Sequence, residues 1–267
     1  MGQAATRIQR RNEAKALLSR LMQRPDKVIV IHYSCESFYD RSDGSSPRIT
    51  SVAVRNLESS QAMSFSIQQM AERSRYTPDQ LELHYDELET SMLTEFYEFV
   101  RSHHDHYWVH WNMRDVNYGF QALSHRYRVL GGNPHIPRED LLVDLSASLK
   151  DIFGSSYIDH PRLKSLTELN NIDHRDFLLG ADEAKAFQNR EYVKLHQSTL
   201  RKVQVIAQLA RRASEGTLKT RANWKEMYGT YPDALAEFIL ERWYFVLLGF
   251  LSSVAGAVLS VIALVHK

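Results

Sequence analysis

Cysteine is the scarcest residue of this chain, because Cys35 is the only one among 267 residues. A single thiol cannot form an intrachain disulfide, so the sequence gives no sign of an oxidising compartment. The Gly-x-Ser-x-Gly, Walker and dinucleotide-binding patterns are missing as well. Their absence argues against an α/β-hydrolase, a nucleotide triphosphatase and a Rossmann dehydrogenase.

Net charge is also nearly absent, since 33 Lys and Arg residues against 32 Asp and Glu residues leave +1. This balance is a cancellation between unlike segments. Residues 1–24 carry six basic side chains against Glu13, and residues 201–225 carry seven against Glu215. Because these segments contribute +5 and +6 to a total of +1, the rest of the chain sums to −10. The overall composition excludes a disordered chain, a collagen-like fibre and a polytopic membrane protein.

Residues 1–24 predict a basic amphipathic N-terminal helix, because their apolar side chains recur at helical spacing. The segment is too polar for the apolar core of a signal peptide. We expect its leucines to pack on the body and its arginines to face solvent, with binding to an anionic surface as the alternative. The apolar positions are Ile8, Ala14, Leu17, Leu18 and Leu21.

The longest apolar run lies near the C-terminus, where residues 243–265 contain no charged side chain. A helix of this length spans about 34 Å, enough for a hydrocarbon core of about 30 Å. We therefore expect a single-pass, tail-anchored membrane protein with its soluble body in the cytoplasm. Gly249, Ser253 and Gly256 belong to small-residue faces that favour close helix packing, which indicates a homo-oligomer formed through the span.

Residues 25–213 show the pattern of one α/β domain. Three strands with short connections predict an antiparallel meander. Two later strands alternate with helices, so we expect a mixed five-stranded sheet with flanking helices. Residues 214–231 are typical of a basic linker, and residues 232–267 of a helix that continues into the span. The expected strands are 27–34, 48–57, 61–67, 106–111 and 141–145, and the expected helices are 115–130, 146–153, 162–170 and about 191–213, with another that opens at Thr77 or Asp86.

Three local strings accompany this order of elements. In residues 28–40 (VIVIHYSCESFYD), the predicted buried strand ends at Ser34 and is followed by Glu36. Residues 109–120 (VHWNMRDVNYGF) place Asp115 after the next apolar strand, and residues 195–209 (LHQSTLRKVQVIAQL) belong to the late helix. With these strings, residues 27 to about 212 resemble the DEDD superfamily of 3'-5' exonucleases, which implies a ribonuclease H-like fold.

The resemblance implies four acidic positions. Members of that family hold two Mg²⁺ or Mn²⁺ ions roughly 3.5 to 4 Å apart with four carboxylates, because both metals must be neutralised while they activate water and stabilise the leaving oxygen. Glu36 and Asp115 match two of these positions, whereas Ser34 and Lys202 replace the other two. The side chains that the resemblance brings next to a bound nucleic acid are His32, Asn112 and Lys202.

The replacement of two acids favours a pseudoenzyme. An ammonium group at a metal position would pair with Glu36 and Asp115 and hold the site together without a metal ion. Alternatively, a carboxylate from residues 171–184 supplies the missing acid, and the protein is an active enzyme with Mg²⁺ or Mn²⁺ as cofactor. The candidates for this acid are Asp173, Asp176, Asp182 and Glu183, with His32 or His196 as a further ligand.

Two other groups of residues carry weaker signals. His103, His104, His106 and His110 cluster without cysteine partners, so a polar loop is favoured over a transition-metal site. The basic residues of 201–225 could contact phosphates, with nearby aromatic rings stacking on bases. The alternative is a juxtamembrane segment attracted to anionic lipid.

Three functions are compatible with these features. The sequence favours a membrane-anchored protein that binds a nucleic-acid end or a nucleotide, with catalysis lost or much reduced. The first alternative is an active metal-dependent 3'-5' exonuclease tethered to the membrane. The second is a protein-interaction scaffold that oligomerises through its transmembrane helix.

Overall fold

The protein folds around one mixed β-sheet with helices on both faces. The structure is a computed structural model that describes residues 3–36, 46–114 and 118–228, and of residues 3–5 the backbone alone. The strands are β1 (Val28–Cys35), β2 (Ile49–Asn56), β3 (Ala62–Ser66), β4 (Tyr107–His110) and β5 (Leu142–Asp144).

The strand order in the sheet is β3-β2-β1-β4-β5. β1 pairs antiparallel with β2, and β2 pairs antiparallel with β3, so the first three strands form an antiparallel meander. β4 lies parallel to β1, and β5 lies parallel to β4. The prediction of an α/β fold with a mixed five-stranded sheet and flanking helices is therefore confirmed.

The helices divide between the two faces of the sheet. They are α1 (Gln3–Gln23), α2 (Ile67–Arg73), α3 (Pro78–Leu81), α4 (Tyr85–Ser102), α5 (Phe120–Val129), α6 (Leu145–Phe153), α7 (Arg162–Leu169), α8 (Gly180–Gln188), α9 (Tyr192–Ser214) and α10 (Trp224–Tyr228). Side chains of α1, α6, α7 and most of α9 form the core on one face. Side chains of α2, α3, α4, α5 and α8 form the core on the other.

β1 is the central strand because both of its faces are covered. All eight of its residues are buried. It opens with the β-branched run from Val28 to Ile31, which favours extended backbone. Successive side chains point to opposite faces, so Val28 and Val30 join the core under α9 while Ile29 and Ile31 join the core under α4. β1 therefore connects the two layers of helices.

The N-terminal helix packs its apolar stripe on the body, with Leu18 and Leu21 buried against the core formed with α6 and α9. Arg11 departs from the expectation that the arginines face solvent. It is buried, its Nε donates to the carbonyl oxygen of Ile152 at 3.1 Å, and its guanidinium lies 4.4 Å from the ring centre of Tyr228. Arg11 is thus an internal link between α1, α6 and α10.

The sequence predicts a linker over residues 214–231, but its described part, 214–228, packs on the body. Leu218 is buried, and the amide of Lys219 donates to Oδ1 of Asn170 at 2.9 Å. α10 lies against α1 and α6. Because its backbone and the buried side chains of Leu218 and Tyr228 contact other elements, this part of the chain belongs to the folded body.

Three helices are absent from the sequence-based prediction, namely α2, α8 and α10, the last of which lies in the expected linker. The alternating pattern places Ile67 in a strand, whereas it is the first residue of α2. The helix starts there because the hydroxyl of Ser66 accepts the amide of Gln69 at 3.2 Å and caps it. α8 covers residues that the sequence analysis considers only as a source of acids.

The predicted helix 115–130 is shorter at its start, since α5 begins at Phe120. Gly119 precedes it, and a Cβ atom there would lie 2.7 Å from the carbonyl oxygen of Met113. Only glycine allows this close approach of two backbone segments. The amide of Gly119 donates to the hydroxyl of Tyr33 at 2.9 Å, which fixes the turn against β1.

Several predictions fall outside the described residues. They concern Asp115, the membrane span at residues 243–265, and the homo-oligomer through Gly249, Ser253 and Gly256. Among the residues that the structure describes, no helix is both long enough and apolar enough to cross a bilayer.

A buried ion pair joins α4, α5 and β2. Arg126 on α5 donates to both carboxylate oxygens of Glu89 on α4, at 3.0 and 2.6 Å. Glu89 also accepts the amide of Ile49 at 2.7 Å. Burial raises the pKa of Glu89 above its ordinary value, and Arg126 opposes this shift. The two-pronged contact and the backbone donor together satisfy a charge that would otherwise be costly to bury.

We expect Arg126→Leu to lower the free energy of unfolding by about 3 kcal/mol or more, because it leaves the carboxylate of Glu89 buried and unpaired. Urea denaturation of the full chain in detergent micelles, followed by circular dichroism, measures this loss. The matched control is Arg73→Leu, which removes a surface contact with Glu95 and should cost about 1 kcal/mol or less. Equal losses in the two variants would contradict the prediction.

Candidate functional site

A buried lysine and a buried glutamate meet next to β1. Lys202 on α9 places its Nζ 2.7 Å from Oε1 of Glu183 on α8. Their side chains are only 7% and 4% exposed. Charged side chains are rarely buried to this degree unless they are paired. The Lys202–Glu183 pair is therefore the centre of the candidate site.

Hydroxyl groups complete the surroundings of this carboxylate. Ser34 on β1 and Ser198 on α9 both donate to Oε1 of Glu183, at 3.0 and 3.1 Å. The hydroxyl of Thr199 lies 2.7 Å from that of Ser34 and 2.8 Å from that of Ser51. The charge of the carboxylate is thus compensated inside the core by several donors. We call this set the buried polar cluster: Ser34, Glu183, Ser198, Thr199 and Lys202.

Helical spacing brings the α9 members of the cluster together. Lys202 follows Ser198 by four residues and Thr199 by three, so the three side chains share one face of the helix. Thr199 also donates its hydroxyl to the carbonyl oxygen of Leu195 at 2.9 Å. On the opposing helix, Glu183 lies in the first turn of α8, where the helix dipole stabilises a negative charge. Both helices therefore present their polar groups to the same point.

His32 lies two residues before Ser34 on β1 and is buried. The hydroxyl of Tyr118 is 3.3 Å from Nδ1 of His32 and donates to the carbonyl oxygen of Tyr33 at 3.0 Å. Burial, together with the positive charge of Lys202, lowers the pKa of His32 well below its ordinary value. His32 is therefore neutral at physiological pH, and beside the lysine it acts as a hydrogen-bonding group without charge.

Glu36 lies in the bend after β1 and lines a cleft of about 430 Å³. The rings of Phe187 and Tyr192 meet edge to face in this cleft, with centres 5.9 Å apart. Glu82 is held by Arg48 at 2.6 Å and accepts the hydroxyl of Tyr192 at 3.0 Å. The cleft thus combines carboxylates, aromatic rings and a guanidinium group. Its full lining is Glu36, Glu82, Ala184, Phe187, Gln188, Arg190 and Tyr192.

Lys202 is expected to pair with Glu36 and Asp115, but in the structure it pairs with Glu183. Glu36 lines the neighbouring cleft, and Asp115 lies outside the described residues. The reason is α8, which the sequence pattern does not predict and which carries Glu183 to the lysine. The acid that reaches Lys202 is thus one of the four alternatives considered for the missing carboxylate.

A second polar group lies where β4 and β5 end. Oδ1 of Asp144 accepts the amide of Asn112 at 3.2 Å, and NH1 of Arg114 lies 3.3 Å from its Oδ2. His110 is the register partner of Asp144 and is buried. Burial lowers the pKa of His110 to about 4, although Asp144 acts in the opposite direction. Asn112 is therefore engaged through its backbone in a structural turn at this edge.

Among the described residues, the candidate metal ligands do not fit the two Mg²⁺ or Mn²⁺ ions that the resemblance implies. In the buried polar cluster the carboxylate of Glu183 is already 2.7 Å from an ammonium group. Two of the alternative acids face arginines, since Asp173 pairs with Arg175 and Arg201 at 3.0 and 3.3 Å, and Asp176 lies 4.0 Å from Arg201. Within residues 3–36, 46–114 and 118–228, no three His, Cys, Asp or Glu side chains converge as metal ligands.

Most basic side chains of residues 201–225 are bonded to the body. Arg212 donates to the carbonyl oxygen of Asn170 at 2.6 Å, and Arg201 donates to that of Arg175 at 3.0 Å. An arginine that satisfies a backbone carbonyl stabilises the fold and is less available to phosphates. The arginines bonded in this way, or to an acid, are Arg201, Arg211, Arg212 and Arg221.

The predicted histidine cluster is divided by the fold. His103, His104 and His106 lie at the turn between α4 and β4, whereas His110 is buried at the end of β4. The ring of His103 stacks on that of Phe99, with centres 4.0 Å apart. The rings of His103 and His106 meet edge to face, with centres 4.7 Å apart, so the fold separates only His110 from the histidines of the turn.

The structure brings three predicted site residues together, namely Ser34, Lys202 and His32. Ser198, Thr199 and Tyr118 are not among the predicted site residues. A signal for the first two exists, because they are polar residues in the otherwise apolar stripe of a long helix. No family model, curated protein or solved structure matches this chain, so a function must be derived from the chemistry of these residues.

We expect Lys202→Met to lower the free energy of unfolding by about 3 kcal/mol, because Glu183 then loses its counter-ion in a buried position. The double variant Lys202→Met with Glu183→Gln should recover part of this loss, since it removes the unpaired charge. Chemical denaturation of the full chain in micelles measures both. A surface control is Lys194→Met, which breaks an exposed contact with Glu191 and should cost about 0.5 kcal/mol or less. A double variant less stable than the single one would refute the assignment.

The pKa of His110 predicts a loss of stability in acid. Its pKa of about 4 lies below the value of about 6.5 in the unfolded chain, so the folded state favours the neutral ring. The contribution of this neutral ring to the free energy of unfolding is therefore complete above pH 6.5 and disappears as the pH falls towards 4. This loss is on the order of 3 kcal/mol. His110→Gln keeps an acceptor for the amide of Met113 and should show a smaller loss between pH 7 and pH 4.5. Identical pH profiles of the two proteins would show that His110 is not the cause.

Proposed function

We propose that this chain is a membrane-anchored protein whose ribonuclease H-like body resembles 3'-5' exonucleases, binds the end of a nucleic acid or a nucleotide, and has lost most or all of its catalysis. The ligand occupies the cleft lined by Glu36. The buried polar cluster stands in place of two catalytic acids. Residues 243–265 anchor the protein, with the body on the cytoplasmic side of the membrane.

The observation that carries this proposal is the 2.7 Å contact between Nζ of Lys202 and Oε1 of Glu183. Ser34 and Lys202 stand where the resemblance expects two metal-binding acids. Although they are far apart in the sequence, both contact the same oxygen of Glu183. A divalent ion would have to displace an ammonium group that already neutralises this carboxylate in a desolvated place. The arrangement supports a site that keeps its shape without a metal.

The cleft lined by Glu36 supports the binding part of the proposal. Its volume of about 430 Å³ lies within the usual range of small-molecule sites. The exposed guanidinium of Arg190 offers a fork of donors that suits a phosphate. Phe187 and Tyr192 supply aromatic rings of the kind on which unpaired bases stack. Glu36 adds acceptor oxygens for sugar hydroxyls or base amino groups.

Glu183 also favours a second candidate function, an active Mg²⁺- or Mn²⁺-dependent 3'-5' exonuclease tethered to the membrane. It places a carboxylate 3.0 Å from the hydroxyl of Ser34, where the resemblance lacks an acid. If Lys202 released it, Glu183 would join Glu36 and Asp115 as a third acid. This candidate differs from the main proposal in one measurable property, the degradation of nucleic acid.

One experiment separates binding from catalysis. The full chain in detergent micelles is incubated with labelled single-stranded DNA or RNA in the presence of Mg²⁺ or Mn²⁺. Filter retention at low salt measures binding, because phosphate contacts are strongest there, and a denaturing gel measures shortening. We expect retention without shortening. Shortening that Asp115→Asn abolishes would overturn the loss of catalysis.

Arg190→Ala tests the cleft as the place of binding. We expect it to weaken retention about tenfold, the effect of losing a hydrogen-bonded phosphate contact. Arg175→Ala is the matched control, because Arg175 is an exposed arginine paired with Asp173 and does not line the cleft. Equal effects of the two changes would remove the cleft from the proposal. If the unchanged protein has no affinity at all, the protein-interaction scaffold becomes the better assignment.

A further inference from the structure

A second cavity opens at the other end of β1, away from Glu36. It has a volume of about 570 Å³ and lies between the start of β1, the hairpin that joins β2 to β3, and the C-terminal end of α4. Its lining shares no residue with the cleft at Glu36 or with the buried polar cluster. What it binds is therefore independent of the proposed nucleic-acid function.

The floor of this cavity is apolar and aromatic. Ile29 and Val54 are sheet residues only 1% and 2% exposed, and Phe99 extends the apolar surface from α4. His103 stacks on Phe99 with an angle of 26° between the rings. Met63 is 51% exposed at the cavity, and its unbranched thioether can adapt to a bound ring. A flat apolar group fits such a surface.

The charge of the lining is negative. Among its eleven residues, Asp26 and Glu58 carry carboxylates, and none is a lysine or an arginine. Arg24, outside the lining, donates to both carboxylate oxygens of Asp26, at 3.4 and 3.5 Å, so the remaining negative charge of the lining is that of Glu58. Acidic groups at the rim and aromatic rings on the floor complement a molecule that has a flat ring and a positive charge. Further polar acceptors in the lining are Asn56, Ser59 and Gln61.

We propose that this cavity binds a small aromatic molecule that carries a protonated amine. The ring lies between Met63 and the stacked rings of Phe99 and His103. The ammonium group faces Asp26 and Glu58. A volume of about 570 Å³ accommodates a ligand of this class with room for its tail.

Three indole probes test the proposal, because they share one ring and differ in the charge of the tail. Tryptamine is positive, tryptophol is neutral and indole-3-acetate is negative. Each is titrated into the full chain in detergent micelles by calorimetry. The variant Ala62→Trp fills the mouth of the cavity from an exposed position and is titrated under the same conditions, so that uptake by the micelles cancels. We expect affinity in the order tryptamine, tryptophol, indole-3-acetate, and its loss in Ala62→Trp.

The acidic rim is tested by the double variant Asp26→Asn with Glu58→Gln. It should weaken tryptamine binding about three- to tenfold and leave tryptophol unchanged, since each exposed ion pair contributes modestly. Glu98→Gln removes an exposed acid of α4 outside the cavity and should change neither probe. Equal affinity for tryptamine and indole-3-acetate would overturn the proposal. So would binding that Ala62→Trp does not reduce, or no binding at millimolar tryptamine.

Discussion

The burial of β1 on both faces is the constraint that the rest of the structure follows. Because all eight of its residues are removed from solvent, each polar side chain on it needs a partner inside the protein. Ser34 has Glu183 and Thr199 as partners, and His32 has Tyr118. These contacts draw α8 and α9 onto the strand and place an ion pair in the core. The candidate site thus follows from where the strand lies in the sheet.

The sheet could be predicted because its signal is local. The run of β-branched residues in β1 and the alternation in β3 are visible without knowledge of distant contacts. α2 could not be predicted in the same way, since its start depends on one hydroxyl, that of Ser66, directly after a strand. The segment 214–228 has the composition of a linker, yet two buried side chains, Leu218 and Tyr228, and a few hydrogen bonds attach it to the body. So small a number of contacts cannot be recognised from the composition of the segment.

The candidate site could be predicted in part. The resemblance places Ser34 and Lys202 near each other, and the structure joins them through Glu183. The identity of the joining acid depends on α8, and no periodicity shows that an acid turns inwards to meet a lysine of another helix. Glu36 illustrates a different limit. Strand alternation predicts which face a side chain takes only while the strand continues, and Glu36 lies in the bend that follows.

The contact between α1 and α10 has a consequence for the order in which the protein can fold during synthesis. Arg11 donates to the hydroxyl of Tyr228 at 3.1 Å, so it joins the first and the last helix that the structure describes. α1 leaves the ribosome before α9, but the surface that covers Leu18 and Leu21 includes α9. Until α9 has been synthesised, the apolar side chains of α1 are uncovered, and its arginines keep the helix soluble. One whole side of the body therefore closes late, when the two ends of the described chain meet.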